Sequence, residues 1–349
     1  MRRRTLSALF TTSRSMFSQA NSAQFNAKEI VRKDLERVTE RIGKELDVCR
    51  LPGLKHASQY YFKKQGKLFR PLVALLMARA CNKTQLKSNS EVTEEQLTVA
   101  MVSEMIHTAT LVHDDVIDQA QTRRGQPVSH LVWGTKKSVF SGDYILARSS
   151  IALSRIGNPF VVELLAHVLD SLVKGEVMQL GTRETTADRF AHYMEKTFRK
   201  TASLLALSCQ AVALLAGTSQ SVSDLAYQYG RNLGIAFQLV DDMLDFVSTS
   251  DILGKPVAAD LKLGLATAPV LFASETYPEL DSLILRRFSQ PNDVEKAWDA
   301  VKNSDGLQRT RDLAAQYTSD AVTCAQGLAY SHESALLIAL VQEILSRKA

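Results

Sequence analysis

Apolar and small residues recur at helical spacing through two long proline-free parts of this chain, residues 72–126 and 160–255. Proline breaks helix interiors, so both stretches can hold long helices. Alternating, turn-bounded strand patterns are scarce. The periodicity predicts helices over residues 97–118, 161–180, 200–217 and 224–248, and another that begins at Pro71. We therefore expect an all-α fold: a single large bundle of long helices around a central apolar cavity.

Polar stretches between these segments predict loops at residues 82–92, 119–130, 181–188 and 249–260. No low-complexity linker interrupts residues 28–349, which predicts one domain over that range. Of the 349 residues, 45% are apolar, which is enough for a substantial core. No apolar run reaches the ~20 residues that a membrane-spanning helix needs. The four cysteines lie far apart without a CxxC pair, which predicts free thiols.

The positive charge of the chain is concentrated at its beginning. The formal net charge is +5, and residues 1–28 hold five basic residues and no acidic one. This Arg- and Ser/Thr-rich segment has the composition of a mitochondrial transit peptide, which we place at residues 1–27, with an unstructured basic tail as the alternative. The sequence therefore predicts a protein of the mitochondrial matrix. The remaining residues are balanced in charge, which argues against nucleic-acid binding.

Two acidic clusters lie within otherwise apolar helical segments. Each reads DDxxD: one runs from Asp114 to Asp118, the other from Asp241 to Asp245. Residues four apart share one face of a helix, where like charges repel. Mg²⁺ relieves such repulsion, and it binds through one or two carboxylates together with substrate phosphates. The pair of clusters therefore predicts a Mg²⁺–diphosphate site, although either cluster alone is compatible with a solvated helix end.

Basic groupings accompany both clusters, as an anionic substrate requires. Each grouping alone is also compatible with solvated surface charge. The groupings are GKLFRP at 66–71, RRG at 123–125, Lys200-Thr201 and Gly254-Lys255.

Together these motifs resemble the trans-isoprenyl diphosphate synthases over nearly all of residues 50–349, and most closely the mitochondrial long-chain branch of that family. The resemblance implies a magnesium-dependent prenyltransferase that elongates an allylic diphosphate with isopentenyl diphosphate. The matching segments are GKLFRP, EMIHTATLVHDDVID, RRGQP, SGDYILAR, KTASL, FQLVDDMLDF and GKPVAADLKLGLATAPVLFA.

The resemblance also implies roles for individual residues. Isopentenyl diphosphate is expected at Lys67, Arg70, His107 and Arg124. The allylic diphosphate is expected at Arg123, Lys200, Thr201, Gln238 and Lys255. The principal metal ligands are expected to be Asp114, Asp118 and Asp241, with Asp115, Asp242 and Asp245 in supporting positions. The expected catalytic residues are Asp114, Asp118, Asp241 and Lys200.

Two positions depart from the usual pattern of the family. The common glycine-glycine-lysine-arginine opening is Gln65-Gly66-Lys67-Leu68 here, and the lysine often found after Gly264 is Leu265. The second change removes a charge at the expected allylic diphosphate site, where Lys255 and Lys200 remain. Both changes also fit the mitochondrial branch, so they do not indicate an inactive protein.

Small residues one turn before the first acidic cluster predict a long product. Ala109 and Thr110 precede Asp114 by five and four positions, and short-chain members of the resembled family carry bulky aromatics near this level. An extended isoprene unit is about as long as one helical turn, so small residues here leave room for roughly eight to ten units, C40–C50. That length suits a ubiquinone side chain. Ordinary helix packing is the alternative explanation for Ala109.

Other functions remain open at this stage. A shorter-chain enzyme of the geranylgeranyl type would share the motifs, and a terpene cyclase would share the metal site without a second diphosphate pocket. A non-catalytic scaffold subunit of a heteromeric synthase would not need intact acidic clusters. A carboxylate di-iron bundle would need two Glu-x-x-His motifs, and no suitable pair of them is found.

The expected partners follow from the resemblance. They are isopentenyl diphosphate, an allylic diphosphate, and either a second copy of the chain or a second synthase subunit. A peripheral membrane contact for product release is a further option.

Overall fold

The computed structural model describes residues 27–63, 66–84, 91–181, 186–247 and 258–347, and within these ranges the chain is almost entirely helical. The only strands there, β1 (Thr122–Arg123) and β2 (Gln126–Pro127), form a short antiparallel ribbon. The helices are α1 Arg32–Asp47, α2 Pro52–Lys63, α3 Phe69–Thr84, α4 Glu94–Ile117, α5 Ser129–Trp133, α6 Thr135–Ser154, α7 Pro159–Leu180, α8 Thr186–Thr197, the π-helix Phe198–Ala202, α9 Ser203–Ala216, α10 Gln220–Val247, α11 Ala259–Lys262, α12 Ala268–Thr276, α13 Leu280–Leu285, α14 Asp293–Asn303, α15 Gly306–Gln326 and α16 His332–Ser346.

Helix α4 runs through the centre of the bundle and is buried on nearly every side. It packs against α1, α3, α6 and α9. Its start is determined locally: the Thr93 hydroxyl accepts from the Gln96 N–H at 3.3 Å, and the Gln96 side chain accepts from the Thr93 N–H at 3.0 Å. This capping box satisfies two backbone donors at the helix start. The helix therefore carries the first acidic cluster from a rigid, buried support.

Helix α10 carries the second acidic cluster and packs most extensively against α9 and α15. Its close approach to the π-helix depends on Gly234. A Cβ at this position would lie 2.5 Å from Cα of Ala202, a distance that no side chain tolerates. The glycine therefore lets α10 lie directly against the π-helix that contains Lys200 and Thr201.

The predicted helices over 97–118, 161–180 and 224–248 are confirmed, each extended by a few residues at its N-terminus. Three details differ. The helix predicted to begin at Pro71 begins at Phe69, since proline is tolerated throughout a first turn that lacks N–H partners. The segment 200–217 opens with a π-helical turn, and the predicted loop 119–130 contains the β1–β2 ribbon.

The remaining sequence predictions concern the cysteines, membrane-spanning helices, the leader and Lys255. Cys49, Cys81, Cys209 and Cys324 are all free, as expected. Within the described ranges, no helix combines the length and hydropathy that crossing a bilayer requires. The predicted leader, apart from Ala27, and the expected ligand Lys255 lie outside the described residues. Ala27 is completely buried in the core.

Candidate active site

Both acidic clusters lie at the C-terminal ends of their helices. Asp118 directly follows α4, and its N–H donates to the Asp114 carbonyl. Asp241 and Asp245 occupy the last two turns of α10, which contain no basic residue in the final turn. A helix C-terminus carries partial negative charge, so carboxylates placed there are destabilising unless a cation accompanies them. The placement of these carboxylates therefore indicates cation binding rather than stabilisation of the helices.

Asp114 lies in a crowded, poorly solvated group of carboxylates. Burial and the adjacent Glu176 carboxylate raise the pKa of Asp114 to about 7. Burial, together with Glu176, also raises the pKa of Asp118. One cation is already present, since Lys200 Nζ lies 2.6 Å from Glu176 Oε1 and donates to Gln179 Oε1 at 2.9 Å. Lys200 lowers the pKa values of Asp114 and Asp118, but the effect of burial and of Glu176 is larger.

The middle carboxylate of the first cluster, Asp115, anchors the surrounding structure. It is fully buried and accepts from the Tyr61 hydroxyl at 2.6 Å and from Arg123 Nη2 at 2.5 Å. The Tyr61 hydroxyl in turn accepts from the Ser129 N–H at 3.0 Å. These bonds tie α2, α4, β1 and α5 together. Asp115 thus supports the site, and it also holds Arg123 in place.

In the second cluster, too, some carboxylates are bound by neighbouring groups of the protein. The buried Asp242 accepts from the Tyr193 hydroxyl at 2.5 Å and from Gln238 Nε2 at 2.8 Å, and burial raises the pKa of Asp242 to about 6. Asp245 accepts from the N–H groups of Ala259 and Asp260, both at 3.1 Å, and so fixes the start of α11. Both carboxylates therefore have structural partners.

The π-helix brings Lys200 and Thr201 to the acidic clusters. The Thr201 hydroxyl donates to Gln238 Oε1 at 2.9 Å, and the amide nitrogen of Gln238 is the one that donates to Asp242. Because Lys200 contacts Glu176 and Gln179 of α7 while Thr201 contacts Gln238 of α10, the π-helix links α7 to the helix that carries the second acidic cluster. π-Helical turns occur frequently at functional sites.

A cavity of about 640 Å³ lies beside these clusters and is lined by several cations. Arg70 Nε is buried there without a hydrogen-bond partner. Burial, Arg70 and Arg124 lower the pKa of His107, which keeps its imidazole neutral. The cationic or histidine side chains of the lining are Lys28, Lys67, Arg70, His107, Arg124 and Arg347. A cavity that gathers so much positive charge, with an orphaned guanidinium nitrogen, is built for an anion.

Comparison with known proteins agrees with this geometry. Residues 52–301 match the family model described as polyprenyl synthetase. The chain is 52% identical to the all trans-polyprenyl-diphosphate synthase PDSS1 of Mus musculus, over 90% of this chain and 76% of that protein. It is 40% identical to the decaprenyl-diphosphate synthase subunit 1 of Schizosaccharomyces pombe, over 96% and 95% of the two chains.

The chain belongs to the polyprenyl synthetase family. Its fold matches a solved polyprenyl synthase from Caulobacter crescentus, described as complexed with calcium and isoprenyl diphosphate, with a TM-score of 0.81 at 32% identity, over 93% of this chain and 98% of that one. The protein is a trans-prenyltransferase that synthesises long-chain polyprenyl diphosphates. The expected fold class, enzyme class and family are thereby confirmed.

In this polyprenyl synthetase, the structure gathers the expected residues into two adjoining regions. The first region contains Asp114 and Asp118 of the first cluster together with Lys200, Thr201 and Gln238. The second region is the cationic cavity, which is lined by the four residues expected to hold isopentenyl diphosphate. Asp241 links the two regions, since Arg347 of the cavity donates from Nη1 to Asp241 Oδ1 at 2.9 Å. Arg123 is bound to Asp115 rather than lining the cavity.

Four residues of the site were missed by the sequence analysis. Glu176 and Gln179 contact Lys200, and their spacing of three on α7 was the available signal. Glu104 is buried in the cavity wall. Burial raises the pKa of Glu104, and the nearby Arg70 and Arg124 partly offset that rise. Arg347, near the end of the chain, carried no local signal.

The donor set suits a hard divalent cation. Carboxylate oxygens are the ligands that Mg²⁺ and Ca²⁺ prefer. Burial, and after it the Glu176 carboxylate, raise the pKa values of Asp114 and Asp118, and a bound cation would favour their ionised forms. Within the described residues, no three carboxylate, histidine or cysteine side chains converge closely enough to enclose an ion by themselves. Mg²⁺ characteristically completes such partial sites with water and substrate phosphate.

Proposed function

We propose that this enzyme is a Mg²⁺-dependent synthase that extends an allylic diphosphate with isopentenyl diphosphate to a product of roughly C40–C50, an estimate from one isoprene unit per helical turn. The observation that carries the proposal is the adjacency of two unlike anion sites. One is a carboxylate cluster that needs a metal, and the other is a cavity lined by cations. The reaction uses two diphosphate substrates, and only the allylic one loses its diphosphate. One site must therefore promote departure of a diphosphate, whereas the other must only hold one.

The allylic diphosphate binds at the acidic clusters. Asp114, Asp118 and Asp241 hold Mg²⁺, which when bound neutralises charge on the departing diphosphate. Lys200, Thr201 and Gln238 are close enough to one another to contact the same group. Arg123 and Lys255 are further ligands of that diphosphate in this proposal.

Isopentenyl diphosphate binds in the cationic cavity, at Lys67, Arg70, His107 and Arg124. Because its diphosphate must remain attached, this cavity uses fixed cations and a neutral histidine. Such contacts orient the double bond toward the allylic carbon. Among the described lining residues of the cavity the carboxylates are Glu104 and Glu343, which form no DDxxD cluster.

The chemistry itself needs positioning and the exclusion of water. The allylic carbon–oxygen bond breaks, and its electron pair leaves with the diphosphate. The double bond of isopentenyl diphosphate attacks the cation, and the released diphosphate accepts the proton that is then lost. Buried apolar side chains around α4 exclude water that would quench the cation.

Further aspects of the proposal concern context. The basic, acid-free leader supports import into the mitochondrial matrix, and a long trans product there suits the ubiquinone side chain. We propose assembly either as a homodimer or with a second synthase subunit. Two intact acidic clusters favour the catalytic role over the scaffold role.

A product assay tests the proposal. The chain from Ala27 onward, alone and co-expressed with candidate partner subunits, is supplied with labelled isopentenyl diphosphate, farnesyl diphosphate and Mg²⁺, and the extracted polyprenols are sized. We expect long products, and a drop of about a hundredfold or more in Asp114→Asn and Asp241→Asn. Asp170→Asn is the matched control, because Asp170 is exposed on α7 and forms an ion pair with Lys174 one turn away on the same helix.

Each outcome has a distinct meaning. Long products from the chain alone establish a homomeric enzyme, and products only with a partner establish the catalytic half of a heteromer. Absence of label incorporation under every condition would support the scaffold function and remove the assigned roles of the three aspartates.

A further inference from the structure

A second, smaller cavity adjoins the acidic clusters and shares no lining residue with the cationic cavity. It encloses about 60 Å³, enough for a few waters or part of a phosphate group. Two of its lining residues belong to the active site, since Gln179 accepts from Lys200 and Tyr193 donates to Asp242. The cavity is therefore an extension of the region assigned to the allylic diphosphate.

Lys196 brings a positive charge into this cavity. Counting from Tyr193, Lys196 and Lys200 follow at steps of three and four, so all three side chains lie on one face of the helix. The Lys196 ammonium lies 5.6 Å from the centre of the Tyr193 ring, directly beside the Tyr193–Asp242 hydrogen bond. Lys196 is therefore positioned one helical turn from a residue already assigned to the diphosphate.

Three carboxylates near Lys196 are bound to other groups. Glu176 pairs with Lys200, Glu195 pairs with Arg199, and Asp242 accepts from Tyr193 and Gln238. In the described part of the chain, the Lys196 ammonium forms no ion pair of its own. Burial lowers the pKa of Lys196, and Lys200 adds to this effect, while Asp242, Asp260 and Glu176 oppose it. A partly buried ammonium without a counter-ion is costly, so its presence indicates a site for an anion.

The lining of the same cavity contains Leu265, which follows the left-handed Gly264. This is the position at which the sequence lacks the lysine common among related enzymes. An apolar side chain cannot contact a phosphate, whereas Lys196 lines the same small volume. A positive charge at either position would therefore line the same small cavity.

We propose that Lys196 is a ligand of the allylic diphosphate and supplies, across this cavity, the positive charge that Leu265 does not provide. This inference rests on the proposed function, because it assigns a further contact to the same substrate. In this proposal the allylic diphosphate contacts two lysines: Lys196 near the end of α8 and Lys200 within the π-helix that follows.

The test compares Lys196→Met, Lys196→Arg and the double variant Lys196→Met/Leu265→Lys with the unmodified enzyme. Loss of one charge-assisted contact weakens binding by about tenfold to a hundredfold. We expect Lys196→Met to raise the KM for farnesyl diphosphate by that factor and to leave the KM for isopentenyl diphosphate unchanged. Lys196→Arg is expected to stay near the unmodified value. The double variant is expected to recover most of the loss, which a purely structural role of Lys196 would not allow.

Calorimetric titration of inorganic pyrophosphate in the presence of Mg²⁺ provides a readout independent of turnover. If the unmodified enzyme makes no product, the proposed function fails, but weaker pyrophosphate binding by Lys196→Met still tests the contact. Lys174→Met, on the exposed face of α7, is the charge-matched control, and thermal melts of all variants report folding.

Three results would overturn the inference. The first is an unchanged KM for farnesyl diphosphate in Lys196→Met together with unchanged pyrophosphate affinity. The second is an equal rise of both KM values, which would indicate general damage to the site. The third is a larger loss in Arg287→Met than in Lys196→Met, because Arg287 lines the same cavity from another wall.

Discussion

Arg347 Nη1 donates to Asp241 Oδ1 at 2.9 Å, so the residue that follows the last helix pairs with a proposed metal ligand of α10. The guanidinium also stacks over the Phe237 ring, 4.6 Å from its centre. Arg347 therefore lies between the acidic clusters and the cationic cavity, which it lines. It competes with a metal for Asp241 and is available to the diphosphate in the cavity.

Removing this guanidinium has two expected effects of opposite sign. Arg347→Ala should lower the Mg²⁺ concentration at half-maximal activity, because Asp241 loses its competing cation. It should also raise the KM for isopentenyl diphosphate about tenfold, because one charge-assisted contact is lost. Steady-state kinetics over Mg²⁺ and over isopentenyl diphosphate measure both quantities. Arg311→Ala, an exposed arginine on α15, is the control, and an Arg347→Ala profile identical to it would contradict the proposed position of Arg347.

Protonation of Asp114 links the stability of the metal-free enzyme to pH. Burial and Glu176 raise its folded-state pKa to about 7 from an ordinary value of 3.8. The folded state therefore binds more protons than the unfolded state between these values, and its stability falls as pH rises through that window. Melting temperatures measured in chelator should decrease from about pH 5 to about pH 8. Asp114→Asn should have a flatter profile and a higher melting temperature at the upper end.

Bound metal should reverse this trend, because it favours the ionised carboxylate. With Mg²⁺ and pyrophosphate present, the melting temperature of the unmodified enzyme should rise over the same pH window, while Asp114→Asn should gain little. A metal-free profile that rises with pH and is unaffected by Asp114→Asn would refute the proposed protonation.

Gly66 makes room for Arg124, which we propose to bind isopentenyl diphosphate. A Cβ at this position would lie 2.5 Å from Arg124 Nη2, so Gly66→Ala must displace the guanidinium. Because the end of a flexible side chain can move, we expect little change in melting temperature and a rise of about tenfold in the KM for isopentenyl diphosphate.

Gly43→Ala provides the matched control for Gly66→Ala. Gly43 lies inside α1, with nothing within 4 Å of a Cβ there. This substitution should stabilise the protein by about 0.5–1 kcal/mol, since alanine favours helix interiors, and leave both KM values unchanged. An unchanged KM in Gly66→Ala would show that Arg124 does not bind the substrate from its observed position.

Ala109 is completely buried on α4, five residues before Asp114. We expect Ala109→Phe to shorten the product, because the ring would block the path of the growing chain along α4. Overpacking should also cost about 1–3 kcal/mol in stability. Sizing of extracted polyprenols measures the first effect, and thermal melts measure the second.

Ala100→Phe separates these two effects. Ala100 is also completely buried on α4, but the nine-residue separation places it on the opposite side of the helix. It should lose stability to a similar extent and keep the product length. Products of equal length from Ala109→Phe and the unmodified enzyme would assign Ala109 to ordinary helix packing.

Local sequence patterns determined the helices and the faces that they present. The spacing of Asp114 and Asp118 places both carboxylates on one side of α4 whatever surrounds that helix, because the helical repeat is a local property of the backbone. The same reasoning located α7 and α10 and grouped the basic residues by segment. It missed the π-helix at Phe198–Ala202, since the extra residue in that turn is accommodated by contacts with Gly234 on a distant helix.

Only the tertiary structure decided how these faces meet. The sequence alone did not distinguish the roles of Asp114 and Asp115. In the structure, Asp115 is bound by Tyr61, which precedes it by 54 residues on another helix, whereas Asp114 lies beside Glu176 in the site. Arg347 reaches Asp241 across 106 residues, and Lys196 and Leu265 share one cavity. Such pairings depend on how helices pack, and packing is decided by complementary shape and burial over the whole core rather than by the spacing of residues along one segment.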